Sequence, residues 1–169
     1  HSTPLDNISG FWLELDRKII DMGYDLTNEK ENYFRWNIWG WAEVINLALA
    51  YDWQPKGTQI DKDRFESYQD YEDYIENYGG EYFGNSGQKV LAEDAKAFSN
   101  ALESSLDDIP DEKLEKRESV PIDDEFFKER AKIWNQEKAS LVIRFSGESN
   151  KDYLKKFINF LREGAFYIY

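Results

Sequence analysis

A chain of 169 residues is long enough for one compact domain whose core needs no cross-links. Its 34 acids against 21 Lys and Arg give a net charge of -13, a field that repels phosphate backbones and anionic lipid, so the expected partner is a basic protein and not nucleic acid or membrane. With no cysteine and one histidine, at position 1, thiol chemistry, Ser-His-Asp catalysis and His- or Cys-rich metal sites fall away; no catalytic residue, metal or cofactor is expected.

No stretch approaches the ~20 apolar residues of a membrane helix. The opening "HSTPLDNISGFW" has no signal-peptide pattern, and the expected location is cytoplasmic. Asn7 or Ser9 can cap a first helix with Phe11, Leu13, Leu15, Ile19 and Ile20 on one face, ended by Gly23. "DLTNEKEN" then reads as a polar link. "RWNIWGWAEVINLALAYDW" is the most apolar stretch, with Ile38, Trp41, Ile45, Ala48 and Leu49 at helical spacing and Val44, Leu47 and Tyr51 beside them. A helix apolar over so much of its circumference belongs at the centre of the fold. Gly40 inside it costs about 1 kcal/mol of helix propensity relative to Ala, which points to close packing of another element or a ligand.

Pro55 and Gly57 stop that helix. Residues 61–83 follow, with eight acids, two basic residues and seven aromatics. Phe65, Tyr68, Tyr71, Ile75 and Tyr78 recur every three or four residues, an amphipathic helix with a Tyr face, stopped by Gly79 and Gly80. Turn formers centre on Asn85, Ser86 and Gly87, flanked by two short strand candidates, Tyr82 with Phe83 and 88–90. "AEDAKAFSNALESSL" is a helix with acids in its first turn, where the helix dipole favours them. Residues 107–124 read as an exposed charged connection. Asp123 or Asp124 caps a helix through Phe127, Ala131 and Trp134, and "SLVIRF" fits either its continuation or a strand. Ser149 and Asp152 form a capping pair for the last helix, which Gly164 ends before the strand-like "AFYIY".

The expected fold is therefore α+β and mainly α, a single domain over 1–169. A helical bundle surrounds a buried central helix at about 37–52. A small antiparallel sheet comes from a hairpin near 82–90 and the C-terminal strand 165–169.

Two sets of residues are candidates for function. Trp36 and Trp39 do not fit the apolar stripe and are free to line a groove. Trp53 sits with Lys56 in a loop, and Asn85 and Gln88 flank the turn. These six would line a ligand pocket. The second set is Tyr68, Tyr71, Asp73, Tyr74, Glu76 and Tyr78, a protein-binding face: Tyr brings contact area at low entropy cost, and acids steer a basic partner. The glycines of 79–86 have P-loop spacing, but Asn85 stands where the Lys belongs.

The order of W-x-W-x-x-V (39–44), W-x-P-x-G-T (53–58), Y-F-x-N-x-G-Q-x-V with E-D-A (82–95) and G-x-F-x-I (164–168) resembles a family of small uncharacterised bacterial proteins. Two positions depart from its pattern: Asp52 stands where Gly is expected, and Leu91 where Ser or Thr would cap a helix. The resemblance implies a soluble, intracellular, single-domain protein and no activity. The first functional expectation is a non-catalytic protein-binding module, with an immunity or antitoxin-like role as one concrete version. The alternative is a small-molecule binder or carboxylate-based enzyme with an aromatic pocket near Trp53 and Asn85. A plain structural or subunit role is the third.

Overall fold

The computed structural model describes residues 22–115 and 136–169. The expected first helix and the helix through Phe127 and Trp134 lie outside these residues. The rest is α+β and mainly α, as the periodicity indicates.

In chain order the elements are β1 (Gly23–Asn28), β2 (Tyr33–Asn37), α1 (Ile38–Ala50), a 3-10 turn (Lys62–Arg64), α2 (Tyr68–Glu76), β3 (Gln88–Val90), α3 (Ala92–Leu106), α4 (Gln136–Arg144), α5 (Glu148–Arg162) and β4 (Phe166–Ile168). The strands form one antiparallel sheet in the order β2-β1-β4-β3. Leu26, Trp36, Val90, Phe166 and Ile168 point from the sheet into the core. The other face carries Asp25 paired with Arg35 and Lys89 paired with Glu29. Sheet and helices thus make two layers around one core.

Aromatic rings fill that core. Phe157 of α5 touches Phe34, Trp36, Trp41, Phe98 and Phe160. Trp41 and Phe98 are fully buried beside it, and each such ring removes a large apolar area from water. The central helix, α1, starts where the sequence reading puts it and ends two residues earlier; Phe34 and Trp36 alternate with Tyr33 and Arg35 in the strand before it, which the sequence reading does not assign. Asn37 then caps α1, its Oδ1 accepting from Gly40 N at 2.6 Å. "DLTNEKEN" is no link: Gly23 opens β1, and the turn to β2 is held by Asn28 Oδ1, which accepts from Lys30 N and Asn32 N at 3.1 and 3.0 Å.

The expected hairpin near 82–90 is also corrected. Only Gln88–Val90 is a strand, and its partner is β4. Tyr82 and Phe83 form no ladder; their carbonyls accept from side chains instead, Trp41 Nε1 donating to Tyr82 O at 2.9 Å and Tyr24 OH to Phe83 O at 2.6 Å. "SLVIRF" belongs to α4 up to Arg144. The last helix is capped by Gly147, with Ser149 already inside its first turn. The described part of the 107–124 connection is not wholly exposed, since Ile109 is buried in the core. Asp52 holds φ at 72° where the chain leaves α1, a backbone region that favours glycine. Leu91 precedes α3 with no side-chain cap bond.

Candidate functional site

Ser67 starts α2 by accepting from Asp70 N at 3.1 Å. Gln69 Nε2 donates to Asp73 Oδ1 at 2.9 Å one turn on. The helix is amphipathic in sequence, yet no residue of it is buried. Tyr68 keeps 62% of its surface exposed and Tyr74 41%, while Tyr71, Ile75 and Tyr78 are half-buried. The rings lean on one another instead of on the core. Phe65 packs on Tyr71 and Tyr74, Tyr68 on Tyr71, and Tyr74 stacks on Tyr78. Asp73 and Glu76 are exposed beside them, as are Glu66, Asp70 and Glu72. A hydrogen bond to Glu72 and its charge raise the Tyr68 phenol above its ordinary pKa.

The body grips this excursion at its two ends. Before it, Ile60 is buried. After it, Thr58 N donates to Gly80 O at 3.1 Å, Thr58 Oγ1 donates to Glu81 O at 2.7 Å, and the Tyr78 and Thr58 hydroxyls are in contact. Arg64 also donates to Ser86 O.

Trp36 lines a cavity, and the other five ligand-pocket candidates do other work or stand apart. Trp53 is buried, stacks on Phe98 at 4.2 Å and meets Tyr82 edge-on. Its Nε1 donates to Asp94 Oδ1 at 3.1 Å. The backbone N of Lys56 donates to the same oxygen at 3.3 Å, and its exposed ammonium pairs with Glu93 at 2.9 Å. Tyr82 OH donates to Asp94 Oδ2 at 2.5 Å and accepts from Gly57 N at 2.8 Å. Burial, then the hydrogen bond to Asp94, push the Tyr82 phenol far above its ordinary pKa. Asp94 is wholly buried at the start of α3 and fastens both the 53–58 and the 79–84 loops. Sequence reading takes it as a first-turn acid and as the middle of E-D-A, without a partner. The spacing of Trp53, Gly57, Tyr82 and Asp94 across two motifs was the available signal.

Gln88 is 1% exposed and faces the loop before it. Its Nε2 donates to Gly84 O and, at 3.4 Å, to Glu81 O, and its Oε1 accepts from Ser86 N at 2.9 Å. It closes the turn whose tip carries exposed Asn85. Trp39 is 60% exposed on α1.

Trp36 is buried and lines a half-open cavity of about 180 Å³ with Asn37, Gly40, Arg144, Phe145, Asn150 and Tyr153. Small-molecule sites usually span roughly 300–1,000 Å³. The polar groups here are mostly engaged: Arg144 pairs with Glu43, Asn150 Nδ2 donates to Ser146 O, and Tyr153 OH donates to Arg35 O. Gly40 is explained by this packing, since a Cβ there would stand 2.8 Å from the Trp36 ring. Among the described residues no cluster of three or more His, Asp or Glu could hold a metal, and no helix is long and apolar enough to cross a membrane. Comparison with protein-family models, curated proteins and solved structures finds no match to this chain.

Proposed function

We infer that the protein is a non-catalytic protein-binding module whose docking surface is the α2 face and whose partner is basic. One observation carries this reading: α2 is amphipathic, yet none of its residues is fully buried, and within the described fold its apolar side is covered only in part, by Phe65 and its own rings. Tyrosines surrounded by a rim of acids match the makeup of an interface centre that anchors by aromatic contact. The rim and the net charge of -13 favour fast encounter with a cationic protein. An immunity or antitoxin-like protein, matched to a basic toxin, is one concrete form of this reading, and the acidic, Tyr-rich segment 61–83 is the feature that supports it.

Immobilised wild-type protein and the double variant Tyr68→Ser, Tyr74→Ser would be exposed to lysate of the source cells. The expected result is a basic protein held by the wild type, released by salt, and held at least tenfold more weakly by the variant, the scale of one interface hot spot. Equal retention on both, or retention of acidic proteins only, would overturn the reading. A toxin-like gene beside this one would support the immunity version specifically.

A further inference from the structure

The segment that carries α2 holds eight acids, yet its Lys62 makes no ion pair with any described residue. Its ammonium lies instead over two rings. Nζ is 5.7 Å from the centroid of Tyr68 and 5.7 Å from that of Tyr71. The two rings are 6.1 Å apart and tilted by 37°, so they present two π faces to one cation. Such a pair attracts ammonium and guanidinium groups through the ring quadrupole. Glu72, one helical turn on from Tyr68 and exposed, adds negative charge to the same side of the helix.

Resting on the reading of α2 as a docking face, we propose that Tyr68 and Tyr71 form a receptor for a Lys or Arg side chain of the partner, and that Lys62 occupies it until the partner displaces it. The exchange replaces one cation–π contact by another, so the ring pair is never left bare. An incoming cation gains the acids of Glu66, Asp70 and Glu72, none of which is in an ion pair with Lys62. A neutral or acidic surface has nothing to put in place of Lys62 and is refused. The resident lysine therefore costs affinity and supplies selectivity for cationic side chains.

The full chain, isotope-labelled, would be titrated with a short oligolysine peptide at low salt, following the Tyr ring and α2 backbone NMR signals. A Gly-Ser peptide serves as control. Four proteins are compared: wild type, Lys62→Ala, Tyr68→Leu with Tyr71→Leu, and the combination. Leucine keeps helix propensity and apolar surface, and the α2 amide signals report that the helix persists. Lys62→Ala is expected to tighten oligolysine binding more in the wild-type background than in the leucine background, by a ratio of about threefold, the range of an exposed cation–π contact. An equal gain in both backgrounds means that Lys62 contributes only its charge. That result overturns the receptor while leaving α2 as a docking face. Shifts mapping away from residues 65–78 would overturn the docking face itself. Absence of oligolysine binding by both wild type and Lys62→Ala overturns the proposal.

Discussion

Trp53 Nε1 donates to Asp94 Oδ1 at 3.1 Å, joining a loop after α1 to the first turn of α3 across 41 positions of sequence. Lys56 N and the Tyr82 hydroxyl complete the set of donors around that one carboxyl group. Removing the acceptor leaves one buried and two part-buried donors without their partner at once, and a hydrogen bond to a charged group contributes roughly 1.5–3 kcal/mol. Asp94→Ala is therefore expected to lower unfolding free energy by about 3 kcal/mol or more in urea denaturation, and Trp53→Phe by about 1–2 kcal/mol. The double variant should lose less than the sum, because the two residues share one bond.

Tyr82 makes the same clasp sensitive to alkali. Burial and Asp94 raise its pKa in the folded chain, whereas an unfolded tyrosine titrates near 10. A folded-state pKa above the unfolded value means a contribution fully present below pH about 10 and lost as the pH climbs past it toward the folded value. Stability should fall over that alkaline window. Tyr82→Phe should be less stable at neutral pH but show a shallower alkaline decline, read by denaturation at a series of pH values. An unchanged slope would mean that Tyr82 does not carry the effect.

Gly40 sets two effects against each other. Alanine gains about 1 kcal/mol of helix propensity. Its Cβ, however, would lie 2.8 Å from Trp36 Cε3 and 3.1 Å from Asn37 Oδ1, and overpacking a filled core costs about 1–3 kcal/mol. The Trp36 ring is packed among Phe34, Phe145 and Phe157 and can give way only toward the cavity that it lines. Gly40→Ala should thus destabilise, with a shift in tryptophan fluorescence. A stabilised variant would show that the ring moves freely.

Gln88 spans its own turn, and Gln88→Ala would leave Gly84 O and Ser86 N without their side-chain partner. A loss of about 1–2 kcal/mol is expected, together with faster amide exchange at Ser86. Exchange as slow as in the wild type would mean that the turn closes by itself.

The helices were legible where spacing and punctuation agree: α1 and α3 carry apolar stripes with clear stops, and β4 alternates cleanly after Gly164. The first hairpin was not. Tyr24, Leu26 and Asn28 alternate with polar residues inside a run of charges, and its turn places Glu31 at φ 63° with no Gly or Pro to mark it. Phe34 and Trp36 pass straight into α1 through Asn37, which both ends the strand and caps the helix. Period two and period 3.6 therefore meet without a break, and the sequence reading leaves the short strand before the helix unassigned. The candidate ligand residues stood out in sequence as polar groups beside aromatics, and Trp53, Lys56 and Gln88 spend those groups on bonds within the fold. Their partners were hidden because Asp94 and the carbonyls of Glu81 and Gly84 are distant or unmarked in sequence.

The central claim concerns α2, and hydrogen–deuterium exchange on the complex with the captured basic partner tests it most directly. Docking on the tyrosine face requires slowed exchange across residues 65–78, with little change in α3 and α5. Protection confined to the sheet or to the cavity beside Trp36, with α2 exchanging as in the free protein, would contradict it.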